Sequence, residues 1–393
     1  MRLLICAGGT GGGVYPALAV LKALLEGEEV SGKPSQPGDH LNFDGRKIEI
    51  LWIGGIGGME EELVRRENIP FTAIPAAGVH GVGLRNLPGN IRQIGRGYHA
   101  ARQVIHQFNP DVMFFTGGYV AVPVALAGRL HGARKRRPTN VLYVPDIEPG
   151  LALRVVSWLA DRIALTVEDS MIYFSDQSKL MVSGYPTRLG LHAWSLDEAR
   201  KVFDLSPDYP TLLVFGGSKG ARSINQAMIR ILPQILIDTQ VIHISGHLDW
   251  PDIERVKKSL DEETQTRYHI HPYLHAEMGA ALRAANLVVS RAGASVLGEY
   301  PLFGLPAILV PYPYAWRYQE VNAHYLEERG AAIVIADNEL STKLLPTIRL
   351  LLKDSNRRDN MGHSIQDLAR PEAAHSIAHL LYDLAEAHRQ RGN

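Results

Sequence analysis

A single cysteine, Cys6, occurs in 393 residues. An internal disulfide is therefore excluded, which fits a reducing compartment such as the cytoplasm. Set in an apolar run, Cys6 reads as a buried small hydrophobe rather than a nucleophile. The 16 histidines fall in no zinc-type Cys/His spacing. Excess charge is lacking too: 41 Lys and Arg balance 41 Asp and Glu, so no global basic field draws in nucleic acid. The local run Arg134-Lys135-Arg136-Arg137 reads as a solvated loop. No stretch approaches about 18 uninterrupted apolar residues. The opening Met1–Ala7 run is too short for a span and lacks signal-peptide flanks. A soluble, at most peripheral, protein is expected.

What is present is an alternation of short apolar runs with longer helical-period segments, the pattern of a parallel α/β sheet. Strands are expected at Leu3–Cys6, Glu49–Ile53, Phe71–Ile74, Val112–Phe115, Val141–Tyr143, Ile163–Leu165 and Lys179–Val182. The scheme repeats at Thr211–Phe215, Gln240–Ile244, Tyr268–His271, Leu287–Ser290, Ala307–Val310 and Ala332–Ile335. Helical periods fit Pro16–Leu25, Asn90–Gln107, Ser223–Leu236, Ala294–Phe303 and Gln319–Glu328 among others, with a last helix from about Pro371 to Arg389. The joint between halves lies near 184–210, where Pro186, Pro207 and Pro210 cluster. Residues 31–46, rich in Pro, Gly and Ser, read as an exposed insertion.

Each half opens with a strand, a glycine turn and a helix. The first turn is Gly8-Gly9-Thr10-Gly11-Gly12-Gly13; the second is Gly216-Gly217-Ser218-Lys219-Gly220-Ala221-Arg222. Glycine lets backbone approach a ligand closely, and the helix N-terminus then offers free N–H groups to a phosphate. Thr10 and Ser218 add hydroxyl donors. A third turn, Thr116-Gly117-Gly118-Tyr119, ends another expected strand. The first loop fails the last position of G-x-G-x-x-G and has no acidic residue at a strand end about 20 positions on, which disfavours a nicotinamide enzyme; neither loop is a P-loop.

Glu299 follows Arg291-Ala292-Gly293-Ala294-Ser295-Val296-Leu297-Gly298 and is placed about one turn into a helix. A carboxylate there suits a ribose diol, since it accepts from both hydroxyls; a solvated helix glutamate is the plain alternative. Gln319 and Asn322 crown the next helix, in the crevice where open α/β sheets bind ligands.

Together these motifs resemble the MurG-type glycosyltransferases of family 28. The likeness runs from Leu3 to the last helix. Gly8–Gly12 with Val14, Pro16 and Leu18-Ala19-Val20 carries it, as do Gly117-Gly118-Tyr119-Val120 and Gly216–Arg222 with Asn225. Gly184-Tyr185-Pro186-Thr187-Arg188, Arg291–Glu299 with Gly304-Leu305-Pro306, and Gln319 with Asn322-Ala323 complete it. The resemblance implies a GT-B fold: two Rossmann-like parallel-sheet α/β domains facing a central cleft. It implies an acceptor- and membrane-facing domain over 1–184, a UDP-sugar-binding domain over 185–370, and a helix over 371–393 that crosses back to the first. The implied reaction is inverting transfer of GlcNAc from UDP-GlcNAc to the undecaprenyl-pyrophosphoryl-linked MurNAc-pentapeptide of peptidoglycan synthesis. The implied location is peripheral, on the cytoplasmic face of the cell membrane, with no cofactor and no metal. By the same resemblance Thr10, Gly11, Gly12 and Ser218 would hold pyrophosphate, Glu299 the ribose and Gln319 the GlcNAc hydroxyls. Arg188 would steady the donor, and a backbone group near Leu274 or His275 would read the uracil. Gly118, Ala294, Ser295, Val296, Leu297 and Gly298 would also line the substrate.

The chain departs from that pattern in its first half. Gly13 stands where the family carries a His proposed as catalytic base, and Tyr143-Val144-Pro145-Asp146 stands where it has His-Glu-Gln-Asn. His80 replaces a usual Arg. The candidate bases are therefore Asp146, Glu148 and His80. Asp146 is preferred because it follows a strand, although an Asp capping the turn before Pro149-Gly150 is an equal reading. The segment Val82–Leu87 with Ile91, Ile94, Tyr98, Arg92, Arg96 and Arg102 fits either a lipid surface or an ordinary amphipathic helix. Two rival functions stay open: a transferase of the same fold with another lipid or glycan acceptor, and an epimerase-like or non-catalytic UDP-sugar binder.

Overall fold

A computed structural model describes residues 1–8, 11–25, 40–41, 47–76, 87–132, 137–217, 220–314 and 317–392. One unit comprises Met1–Arg188 with Pro371–Asn393; the other comprises Leu189–Arg370.

The first unit is built on β1 (Arg2–Ala7), β2 (His40–Leu41), β3 (Lys47–Gly55), β4 (Phe71–Ile74), β5 (Val112–Gly117), β6 (Thr139–Val144), β7 (Arg162–Leu165) and β8 (Leu180–Val182). Its parallel order is β4-β3-β1-β5-β6-β7-β8, with β2 antiparallel on the β3 edge. The second unit holds β9 (Thr211–Phe215), β10 (Gln240–Ile244), β11 (Tyr268–His271), β12 (Leu287–Ser290), β13 (Ala307–Leu309) and β14 (Ala332–Val334). These pair in parallel in the order β11-β10-β9-β12-β13-β14.

The central strands are continuous apolar runs because helices cover both faces of each sheet. Leu3, Leu4, Ile5 and Cys6 are fully buried, as are Leu212, Leu213 and Val214. The helix Arg222–Ile235 buries Ile224, Met228, Ile231, Leu232 and Ile235, one stripe at helical spacing against the second sheet. Each sheet has one switch point, between β1 and β5 and between β9 and β12. There the crossovers leave in opposite directions and open a crevice beyond the strand C-termini.

The last helix, Ala373–Gly392, packs on the helix Gly11–Leu25 of the first unit. Asp111 fastens it: Arg389 Nε lies 3.1 Å from Asp111 Oδ2, which also accepts from the backbone N–H of Arg2 at 2.7 Å.

Some local expectations are corrected. The helix read over 294–303 is a 3-10 turn, Ala294–Leu297, then a separate helix, Glu299–Phe303; Gly298, at φ −127 and ψ −49, breaks it. Glu299 is thus the first residue of its helix rather than one turn in. The strand expected from Lys179 starts at Leu180, because Asp176 caps a 3-10 turn over Gln177–Lys179. The first helix starts at Gly11, ahead of Pro16. Helices at Leu151–Leu159, Leu196–Val202 and Ser355–Gln366 were not anticipated. Of the insertion at 31–46, only 40–41 falls within the described residues.

Candidate active site

In the first unit the site is assembled at the β1–β5 switch point. Gly118 follows β5 at φ +85°, a conformation that favours glycine, and a Cβ there would lie 2.7 Å from the carbonyl oxygen of Gly8. A Cβ on Gly8 would in turn lie 2.6 Å from Glu60 Oε1. Glu60 is 2% exposed and accepts from the backbone N–H of Gly55 at 2.8 Å. Across the turn, Thr116 Oγ1 donates to the carbonyl of Gly13 at 2.6 Å. Gly11, Gly12 and Gly118 thus gather at one crevice, and Gly11 and Gly12 open the helix whose N-terminus faces it. Thr10 lies outside the described residues. Arg188 belongs to this unit, its guanidinium carbon 5.2 Å from the ring centroid of Tyr15 in the first turn of that helix.

The three candidate bases separate. His80 lies outside the described residues. Glu148, 8% exposed, is ion-paired with Arg154 at 2.8 Å, so its carboxylate is already committed. Asp146 is partly exposed on the turn that follows β6.

In the second unit Gly216, Gly217 (φ +85°) and Gly220 (φ +77°) turn the chain from β9 into the helix Arg222–Ile235. A Cβ on Gly220 would lie 2.5 Å from the carbonyl oxygen of Ser245. Ser218 lies outside the described residues. Beneath the turn runs a buried polar relay. Asn225 Nδ2 donates to Ser245 O at 2.9 Å and to Asp249 Oδ2 at 2.8 Å. Its Oδ1 therefore accepts from His243 Nε2 at 2.9 Å, which leaves His243 Nδ1 to accept from the Tyr268 hydroxyl at 2.8 Å. Burial pushes the His243 imidazole down to about 3, so it is neutral.

Beyond β12, Arg291 is the clamp of the crevice. It donates to Asp337 Oδ1 at 2.5 Å, to Ser223 Oγ at 2.7 Å and to the carbonyls of Val310 and Pro311 at 3.1 and 3.3 Å. It thereby ties the helix after the glycine turn to the ends of β12 and β13. Ala294, Val296, Leu297 and Leu274 are buried, so their side chains pack into the unit rather than into the crevice. Ser295 and Glu299 are partly exposed. Gln319 Oε1 accepts from the backbone N–H of Tyr312 at 2.9 Å, so its amide N–H₂ is the end left to face a sugar. Tyr273, beside Leu274, lies nearly parallel to His247: their ring centroids are 6.4 Å apart and the planes differ by 12°.

Glu60, the Asn225–His243 relay and the Arg291 clamp were missed as functional positions. Arg291 and Asn225 were legible as motif residues, but their partners lie 18 to 68 residues away. No local pattern marks Glu60.

The model of the glycosyltransferase family 28 N-terminal domain matches residues 38–165, and that of its C-terminal domain residues 211–377. A Roseiflexus sp. (strain RS-1) protein is 39% identical over 98% of this chain and 95% of its own length. It is named UDP-N-acetylglucosamine--N-acetylmuramyl-(pentapeptide) pyrophosphoryl-undecaprenol N-acetylglucosamine transferase. The crystal structure of Acinetobacter baumannii MurG superposes with a TM-score of 0.71 at 23% identity, covering 97% of this chain and 99% of that one. A putative UDP-N-acetylglucosamine 2-epimerase from Listeria monocytogenes superposes at 0.62 with 16% identity, covering 96% and 94%. Those two superpositions speak for the fold. The paired family models and the 39% identity along nearly the whole chain decide the lineage: this chain belongs to glycosyltransferase family 28.

Proposed function

We propose that the chain transfers GlcNAc from UDP-GlcNAc to the undecaprenyl-pyrophosphoryl-linked MurNAc-pentapeptide, with inversion at the anomeric carbon. One observation carries the reading: the glycine turn after β9 and the 291–299 segment after β12 flank a single switch point, with Arg291 tying them together. The name of the Roseiflexus relative supports the acceptor.

In this mechanism UDP lies along the second-unit crevice. Leu274 backbone meets the uracil, Glu299 accepts from the ribose hydroxyls, and the Gln319 amide donates to the sugar. Ser218 holds the pyrophosphate, while Thr10, Gly11, Gly12 and Arg188 are substrate-binding residues of the first unit. Asp146 takes the proton of the acceptor hydroxyl as its oxygen bonds to the anomeric carbon. The C–O bond to UDP breaks and its electron pair stays on the phosphate oxygen. The helix N-terminus at the second unit's glycine turn stabilises that charge. The units divide the task, the first taking the acceptor and the second the donor.

Among the described residues no helix is long and apolar enough to cross a membrane. A peripheral contact is proposed instead on the helix Leu151–Leu159, where Leu151, Val155 and Trp158 are exposed at helical spacing on one face. Trp158→Ala should weaken sedimentation with anionic vesicles several-fold. On the helix Leu87–Phe108, Tyr98 packs on the core while Arg92, Arg96 and Arg102 face water; residues 82–86 and the Ile91 side chain lie outside the described residues.

The test is UDP release from UDP-GlcNAc with and without a lipid-pyrophosphoryl-MurNAc-peptide, in native protein and Asp146→Ala. Acceptor-dependent release, lost in the variant, supports both transfer and base. Conversion of UDP-GlcNAc to its 2-epimer without acceptor, with the sugar still on UDP, would instead favour epimerisation, the activity named for the Listeria structure.

A further inference from the structure

The turn over residues 145–149 carries two carboxylates and is fastened at both ends. At its entry the β6–β7 register sets Tyr143 beside Ala164 and Val144 beside Leu165, so Thr166 comes level with Pro145. Thr166 Oγ1 lies 3.0 Å from the carbonyl oxygen of Val144, 2.8 Å from that of Pro145 and 2.7 Å from the Tyr143 hydroxyl. Carbonyls only accept, and a hydroxyl has one proton to give. Thr166 therefore donates to the two carbonyls, and Tyr143 donates to Thr166. All of this is out of water: Tyr143 is fully buried and Thr166 is 3% exposed. At the exit Arg154 donates to Glu148 Oε1 at 2.8 Å and to the carbonyl of Pro149 at 3.0 Å. Asp146 lies between these two fastenings and is partly exposed.

We infer that Tyr143 and Thr166 are positioning residues for Asp146, holding its carboxylate in place through the carbonyls of Val144 and Pro145. The inference rests on Asp146 as the base of the transfer proposed above. Pro145 has a fixed φ and no N–H, so with its carbonyl pinned the peptide that enters Asp146 has little freedom. The direction of the Asp146 Cα–Cβ bond is then set by a hydroxyl pair that never touches substrate. A base displaced by about 1 Å costs on the order of 100-fold in rate. Thr166→Val removes the donor from both carbonyls. Tyr143→Phe removes only the second hydroxyl, and its effect should be the smaller.

The experiment is a double-mutant cycle on the full chain, with UDP-GlcNAc and a lipid-pyrophosphoryl-MurNAc-peptide as substrates. Thr166→Val should lower kcat about 30-fold and Tyr143→Phe about fivefold, each with the KM for UDP-GlcNAc unchanged. Thr166→Ser, which keeps the hydroxyl, should restore the native rate to within about twofold. On an Asp146→Ala background both losses should shrink to less than twofold, since there is no carboxylate left to place. The proposal is overturned if Tyr143→Phe keeps the native kcat, or if either loss persists in full without Asp146, which would mark a merely structural pair. It is overturned equally if Asp146→Ala is itself fully active. If Thr166→Val does not fold, Tyr143→Phe alone carries the cycle. A native chain that binds UDP-GlcNAc but never transfers to this acceptor would instead overturn the proposed function, and this inference with it.

Discussion

The two glycine turns occupy equivalent switch points, yet different chemistry anchors them. In the first unit the turn rests on backbone contact, Gly118 against Gly8, and on the buried carboxylate of Glu60. In the second it rests on a neutral side-chain relay through Asn225 and His243, reinforced by the Arg291 clamp. Equivalent topology therefore fixes where a ligand binds and leaves open what holds the turn. The departures from the family pattern at Gly13, His80 and residues 143–146 all fall in the first unit, while the motifs of the second are retained.

The largest effects should come from the glycines themselves. Gly118→Ala and Gly220→Ala each combine a left-handed φ with a Cβ within 2.7 Å of a backbone oxygen. Each should cost about 3 kcal/mol in strain and displacement. Transfer should fall on the order of 100-fold in both, since a turn pushed aside by about 1 Å misplaces what it holds. Direct titration with UDP separates the units: Gly220→Ala should lose more affinity than Gly118→Ala. Equal losses would mean that the second-unit turn is not the main anchor of UDP.

Next comes the clamp. Arg291 is 10% exposed at its side chain and Asp337 22%, and Arg291→Leu would leave Asp337 and Ser223 without their shared donor. Breaking such a pair should destabilise the second unit by about 3 kcal/mol, seen as a lower urea midpoint for that unit only. Arg291→Lys keeps the charge but has no planar fork to serve four acceptors, so it should recover only part of the loss. Full recovery by Lys would show that charge alone holds the crevice.

Acid should distinguish the anchors more gently. Burial lowers the folded pKa of His243 from 6.5 to about 3. Between those values the unfolded chain binds a proton that the folded unit refuses. The stability from a neutral His243 is thus complete above pH 6.5 and is lost progressively as pH falls towards 3, at up to about 1.4 kcal/mol per pH unit. His243→Gln should reduce that slope in the second unit, the remainder coming from His269, whose pKa burial lowers to about 4. In the first unit, burial raises the pKa of Asp111, but His388, the Arg2 backbone N–H and Arg389 outweigh it and leave the carboxyl below its ordinary 3.8. Its contribution is present above 3.8 and disappears only as pH falls through the depressed value. Urea midpoints from pH 7 to 4 should therefore drop first in the second unit; the reverse order would contradict the relay as its anchor.

The sheets were legible because a strand buried on both faces must be a short apolar run closed by a breaker, and Thr211–Phe215 was read to the residue. The glycine turns were legible for the same local reason. The break at Gly298 was not, since Ala294–Phe303 keeps a helical period while the backbone φ and ψ of a glycine are set by packing. The Asp146 turn was legible as a position, but the Thr166 hydroxyl that fastens it lies 21 residues beyond Pro145. A hydroxyl on the neighbouring strand leaves no periodic trace.

The smallest effect concerns the nucleobase. His247 follows β10, Tyr273 follows β11, and their rings lie nearly parallel beyond the strand C-termini. A flat base read by the Leu274 backbone would lie against those faces, and aromatic stacking of a base is worth about 1–3 kcal/mol. His247 is exposed, which puts the expectation at the low end of that range. His247→Ala should weaken UDP binding by about fivefold, or about 1 kcal/mol, with kcat unchanged because the base does not react. His247→Phe should retain affinity, which separates stacking from any hydrogen bond of the imidazole. If His247→Ala binds UDP as tightly as the native chain, the base does not use this pair, and the second unit recognises the nucleotide through its ribose and phosphates alone.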